Sequence, residues 1–179
     1  MTITTIITIL SFFSILGNTG EKLLQDKFPV PRQTKERLFY IQRTLNRNTI
    51  VYDANFDSDG NLNSRNPVNV YWIRYEEGGG TMPLRLYEKE LAFGVDVTPK
   101  NKGEFEIKIA AFKGRLVRLK QLAPFSAKAY VFINEQVAEL EHIFVKANGY
   151  KVFSKVLYLE LFGKDKKAGQ AVYERIPVD

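Results

Sequence analysis

The stretch Glu104–Phe112, EFEIKIAAF, decides the fold. Phe105, Ile107, Ile109 and Ala111 fall on one side of an extended chain, and Glu104, Glu106 and Lys108 fall on the other. Successive side chains of a strand point to opposite faces, so this period of two describes a strand with one face in a core and one in water. The pattern recurs downstream. Arg115–Leu122 sets Val117 and Leu119 against Arg118 and Lys120, and Lys128–Asn134, Ala138–Ala147 and Val152–Phe162 follow, with Ala171–Ile176 as a final strand. Lys113-Gly114, Asn134-Glu135 and Asn148-Gly149 supply the hairpin breaks. Strands that return about every ten residues without intervening helices predict a mostly β, antiparallel meander. A barrel and a sandwich share this alternation, so both remain open.

Working outward, Leu38–Thr44, Thr49–Phe56 and Pro67–Tyr75 read as three earlier strands, the last dense in β-branched and aromatic residues. That makes eight to nine strands in all. Gly78-Gly79-Gly80 interrupts the pattern. Thr81 as a cap, Pro83 in a first turn, Leu84, Tyr87 and Leu91 at helical spacing and Gly94 as a stop predict one short helix. Pro29 and Pro31 make the residues before Leu38 a connector.

The first charged residue is Glu21, and before it lies the apolar, Thr-dotted run Ile3–Leu16. A helix needs about 20 residues to span a bilayer, so this shorter run reads as the hydrophobic region of a signal peptide. No Lys or Arg follows Met1 and no A-x-A site follows Leu16; an uncleaved anchor and a buried N-terminal strand are the alternatives. The expected organisation is a signal peptide over 1–20, a connector over 21–37 and a single β domain over 38–179, located in the periplasm or secreted.

The 179 residues carry a net charge of +6 and no cysteine. The missing cysteine excludes a disulfide framework, a thiolate metal site and a cysteine nucleophile. The positive balance favours anionic surroundings. Lys108, Lys113, Arg115, Arg118, Lys120 and Lys128 fall on consecutive hairpins and could form a stripe, with Lys164, Lys166 and Lys167 as a second cluster. Nucleic acid would want exposed stacking aromatics beside that charge, whereas the aromatics here sit inside strand patterns. A basic face that only solubilises is the plainer account.

No motif marks a catalytic centre. His142 is the single histidine, which leaves a His-based metal site or triad without partners and makes a half-buried structural role the expectation. Glu104, Glu106, Glu139 and Glu141 alternate as outward strand residues do. The polar run Asp53–Asn63 places Asn55, Asp57, Asp59 and Asn61 at calcium-loop spacing around Gly60, but the twelfth position is Asn66 where a glutamate is needed. A hairpin loop with Asp and Asn bonding their own backbone explains it better. On the strand ending in Tyr75, Tyr71, Ile73 and Tyr75 point one way and Val70, Trp72 and Arg74 the other. Tyr71, Trp72, Arg74 and Tyr75 are the ligand-binding candidates, joining aromatic walls to a cationic tip, with core packing alone as the plainer account.

Phe39-Tyr40-Ile41-Gln42-Arg43, Asn48-Thr49-Ile50-Val51-Tyr52-Asp53, Pro67-Val68-Asn69-Val70-Tyr71-Trp72-Ile73 and Leu91-Ala92-Phe93-Gly94-Val95 resemble a bacterial family known only as domain of unknown function 4833. The resemblance covers Phe39 to Tyr173. It implies a stand-alone domain behind a short leader and brings no catalytic residues with it. The functional expectation is an exported, non-enzymatic β domain that needs no cofactor and binds a small or extended ligand, with anions, glycans and envelope components as candidate partners. The alternatives are an envelope interaction module without a pocket and a carboxylate-based hydrolase. A lined internal cavity would favour a carrier; a packed interior would count against it.

Overall fold

The structure is a computed structural model that describes residues 28–112, 114–149 and 154–178. The signal-peptide expectation and most of the connector fall outside the described residues. Within them the chain is mostly β, with eleven strands. β1 (Arg37–Arg43), β2 (Asn46–Ala54), β3 (Val68–Arg74) and β4 (Gly80–Pro83) form one antiparallel arm. β5 (Val95–Asn101), β6 (Glu104–Ile109), β7 (Val117–Ala123) and β8 (Ser126–Ile133) form a second. β9 (Gln136–Ala147), β10 (Val156–Asp165) and β11 (Ala171–Pro177) complete the sheet.

Both arms leave the same edge of β9. β8 pairs antiparallel with Gln136–Glu139, β1 pairs parallel with His142–Val145, and β10 takes the other edge along the whole strand. Two arms diverging from one edge must curl toward each other. The result is a half-barrel along the path β4-β3-β2-β1-β9-β8-β7-β6-β5, whose end strands β4 and β5 are not paired with each other. Of the two expected forms it is the barrel-like one, curled but with its end strands unpaired with each other. The parallel β1–β9 pairing departs from a pure meander, because β1 reaches β9 through the sheet and not through a hairpin.

The turns follow backbone chemistry. Asn134 and Glu135 both have positive φ (46° and 65°) between paired Ile133 and Gln136, the mirror-image turn that matches strand twist. Gly163 sits in the β9–β10 bulge, where a Cβ would lie 2.3 Å from the Glu139 carbonyl oxygen, so only glycine fits.

Two strands were not legible. β4 occupies the residues expected to open the helix, pairing Gly80–Pro83 with Tyr71–Arg74. β5 contains Pro99, which argues against a central strand, yet β5 is an edge, where proline is tolerated. The helix α1 is shorter than expected: an α turn over Leu86–Glu88 runs into a π turn over Lys89–Phe93. Gly94 ends it as anticipated, donating its N–H to the Lys89 carbonyl at 3.1 Å.

The core lies between the arms. Phe39 stacks on Tyr52 with centroids 4.3 Å apart, and the Tyr52 hydroxyl donates to the Phe93 carbonyl at 2.7 Å, tying the first arm to α1. Ile107, Val117, Leu119, Ala129 and Ile133 face them from the second arm, all buried. The interior is packed. A hollow of about 140 Å³ among Ile41, Phe93, Ile109, Phe112, Ile143 and Leu159 is below the ~300 Å³ at which ligand pockets begin.

Candidate functional site

The outward faces of the two arms differ. On the first arm the connector folds back over the sheet: Phe28 packs edge-on to Phe144 at 5.2 Å, Gln42 Nε2 donates to the Pro29 carbonyl at 2.8 Å, and Pro31 is buried. Arg37, whose side chain is only 4% exposed, donates through Nε to Asp53 Oδ1 at 2.6 Å, and the Tyr71 hydroxyl donates to Asp53 Oδ2 at 2.6 Å. Burial, then the bond to Asp53, holds the Tyr71 phenol above its ordinary pKa, and burial does the same for Tyr75. The Arg37 charge partly offsets both.

These bonds place the four sequence candidates. Tyr71 and Tyr75 share the outer face with Arg37. Trp72 points inward, 3% exposed, edge-on to Phe93 at 5.4 Å, with Nε1 donating to Glu88 Oε2 at 3.2 Å. Arg74 lies 5.9 Å from the Trp72 ring centroid and pairs with Glu77. The cation beside the two tyrosines is therefore Arg37, and Tyr71, Trp72 and Arg74 are already engaged by neighbours within the fold.

On β9–β11 the same face carries a ladder of rings. His142 lies between Tyr40 (4.5 Å) and Phe162 (5.1 Å), both near parallel, and Phe162 meets Tyr173 at 5.1 Å. His142 Nε2 is buried without a partner among the described residues, and burial lowers the imidazole pKa to about 3. It is a neutral structural ring. Glu160, 5% exposed, accepts from the Tyr173 hydroxyl and Arg175 Nη2, each at 2.7 Å.

The second arm is uncovered. Arg118 and Lys120 on β7, Tyr130 and Phe132 on β8, Glu104 and Glu106 on β6 and Val137 on β9 line an open groove of about 540 Å³. Arg115 and Leu116 form one lip and Lys166 the other. The Arg115 guanidinium makes two bonds to the Glu174 carboxylate, one of them Nη1 to Oε2 at 2.7 Å, and Asn134 N–H donates to the same Oε2 at 2.7 Å. This pins the β6–β7 loop to β11. Arg115 and then Asn134 hold the Glu174 carboxyl below the usual carboxylate range against the opposing effect of burial.

The charges on this face are arranged in cross-strand pairs. Lys100 Nζ meets Glu106 Oε2 at 2.7 Å, Lys120 Nζ meets Glu104 Oε1 at 2.8 Å, Lys128 Nζ meets Glu139 Oε1 at 2.5 Å and Lys164 Nζ meets Glu141 Oε1 at 2.5 Å. The bond from Lys120 holds the Glu104 carboxyl low, and the Lys120 ammonium is raised in turn. All four outward glutamates are thus neutralised. Arg118 and Lys166 have no carboxylate partner among the described residues; Lys166 Nζ instead sits 4.9 Å from the centre of the Tyr130 ring. Leu116 and Phe132 beside them are 52% and 57% exposed.

Of the expected basic stripe, Arg115, Arg118 and Lys120 come together in the groove, joined by Lys166 from the other cluster. Lys128 is paired next to it, Lys108 is exposed on β6 outside the groove lining, and Lys113 lies outside the described residues. Tyr130 and Phe132 were missed as site residues because their strand reads as core; their outward register was the signal, since Ala129, Val131 and Ile133 are the buried set.

The calcium-spaced loop between β2 and β3 closes on itself. Asp57 Oδ1 accepts from the backbone N–H of Asp59 (3.0 Å) and Asn61 (2.9 Å), and Asn55 Nδ2 donates to the Asn66 carbonyl at 2.7 Å. Gly60, at φ 79°, lies against Phe125, and its carbonyl accepts from Gln121 Nε2 at 3.1 Å. The loop docks on the β7–β8 hairpin. Among the described residues no group of three or more His, Cys, Asp or Glu could hold a metal ion.

Fold and groove together define a small curled β half-barrel with one covered and one open outer face. The chain belongs to the DUF4833 family, a domain of unknown function, whose model matches residues 39–175. No curated protein and no solved structure matches it.

Proposed function

We propose that this domain is a non-enzymatic binding module that takes an extended anionic ligand in the groove across β6, β7 and β8. One observation carries the reading. On a face where each outward glutamate has its own lysine, Arg118 and Lys166 have no carboxylate partner among the described residues and stand beside exposed Phe132 and Leu116. A planar guanidinium suits a carboxylate, sulfate or phosphate group, and the neighbouring rings suit an apolar or sugar body. The ion-paired carboxylates support a binding role over acid–base chemistry. The apolar Ile3–Leu16 run supports an exported location, where acidic glycans and envelope polymers are the available anions.

The packed interior favours a surface site over an enclosed carrier, and it equally favours the second reading, a protein-interaction module using the same face. Calorimetric titration of the full chain with dextran sulfate, beside neutral dextran, separates them. Saturable binding to the sulfated polymer alone, weakened about tenfold in R118A/K166A at unchanged Tm, supports the proposal. Equal affinity of variant and parent, or no binding at all, refutes it.

A further inference from the structure

Open sheet edges invite pairing with other chains, and proteins guard them with short strands, proline, charge or cover. The half-barrel guards its end strands unevenly. β4 has four residues and ends in Pro83. The second half of β5 carries Pro99 and Lys100. Two short stretches have neither proline nor lysine: the first half of β3, which β4 does not reach, and the first half of β5. β4 pairs only with Tyr71–Arg74, so Val68–Val70 have no strand partner on that side; Val68 is buried there and Val70 is half-buried.

Hydrogen bonds fix which backbone groups point into the gap. Asn55 N–H donates to the Pro67 carbonyl at 2.9 Å, so Pro67 and, by alternation, Asn69 and Tyr71 bond toward β2. Val68 and Val70 then present N–H and C=O on the far edge. Ala110 N–H donates to the Gly94 carbonyl at 3.0 Å, so Gly94, Asp96 and Thr98 bond toward β6. Val95 and Val97 present theirs outward, as does Pro99, which has no N–H to leave unpaired. The two edges face one groove of about 470 Å³, lined by Val68, Asn69, Val70, Val95 and Asp96 over Leu84 and Ala110.

We infer that this gap is a strand-addition site for an extended segment of a partner polypeptide, hydrogen-bonded to Val70 on one side and Val95 on the other. Two facing rows of alternating donors and acceptors are matched by an extended backbone, which offers the complementary rows on both of its edges. Side chains of the incoming segment alternate. Those turned inward meet Leu84 and Ala110 above a filled core, which admits only small apolar residues. Those turned outward pass Glu90 and Asp96, which outnumber Lys89 and favour a basic residue.

The test is a heptapeptide phage-display selection on the immobilised full chain, followed by amide hydrogen exchange of the soluble protein with each synthesised winner. In the free chain the Val70 and Val95 amides are expected to exchange at least about a hundredfold faster than those of Asn69 and Asp96, and enriched peptides slow both amides together. Enrichment lost in V95P, with its Tm within a few degrees of the parent, agrees with the inference; should V95P unfold, the exchange result decides alone. Slow exchange of Val70 and Val95 in the free chain, no enriched peptide, or winners that protect other amides instead would overturn it.

Discussion

The two arms of the half-barrel start from the same edge of one strand and share one core, yet their outer faces have opposite fates. Over β1–β3 the connector, the Arg37–Asp53–Tyr71 cluster and the ring ladder make a second layer, in which Val51, Phe28, Phe144 and Arg37 are as buried as core residues and Asp53, Tyr71, Tyr40, His142 and Phe162 are half-buried. Over β6–β8 nothing among the described residues is laid down, and the face carries paired charges together with Arg118, Lys166 and Lys108, which make no ion pair among the described residues. The covered face therefore adds stability, whereas the bare one is available for recognition. A substitution on the first should change how well the chain folds, and one on the second should change what it binds.

The largest break expected is D53A. It leaves the Arg37 guanidinium buried without its carboxylate and the Tyr71 hydroxyl without its acceptor, at a cost of about 3 kcal/mol in urea denaturation. A loss below about 1 kcal/mol would show that Arg37 escapes to solvent.

Next comes pH. The His142 imidazole, held down to about 3 by burial, is neutral in the folded chain, while in the unfolded chain it takes a proton near its ordinary value. The unfolded state binds more protons between these two values, so stability falls as pH drops through that window, by up to about 1.4 kcal/mol per pH unit below the unfolded pKa. Between pH 7 and 5 the loss approaches about 2 kcal/mol, and H142F flattens this part of the profile. A slope unchanged in H142F would place the titrating group elsewhere.

F28A is expected to cost about 1.5 kcal/mol, because one edge-on ring contact and a buried side chain are lost from the connector. Faster hydrogen exchange should be confined to the β1–β9 region, with β6–β8 unaltered. Smallest in stability is R118A, within about 0.5 kcal/mol of the parent, since an unpaired surface cation contributes little to folding. Its effect belongs in binding. If R118A melts several degrees lower, the groove is a structural surface and the contrast between the faces disappears.

Much of the fold was legible because alternation directly records which side of a strand is wet. EFEIKIAAF became β6 with Phe105, Ile107 and Ile109 buried and its glutamates outward. Periodicity could not report the parallel pairing of β1 with β9, which is a tertiary choice between residues about a hundred positions apart, nor the edge status that lets β5 keep Pro99. Thr81 and Pro83 suit a helix start and an edge strand alike, and pairing with β3 decided for the strand.

The site was less legible for a different reason. Tyr71, Trp72, Arg74 and Tyr75 were singled out by residue type, but whether such residues bind a ligand or one another depends on partners far away in sequence, here Asp53, Glu88 and Arg37. Arg118 and Lys120 were seen as part of a basic stripe, but sequence does not say which lysines find a glutamate across the sheet. That pairing leaves Arg118 and Lys166 as the surplus in the groove.

The most direct test of the account is a chemical-shift map of the uniformly labelled full chain titrated with dextran sulfate. Saturable perturbations are expected to centre on Arg118, Tyr130, Phe132 and Lys166, with the Phe28–Pro31 connector and the Tyr40–His142–Phe162 ladder unmoved. Perturbations centred on the covered face, or scattered over every exposed lysine, would contradict it.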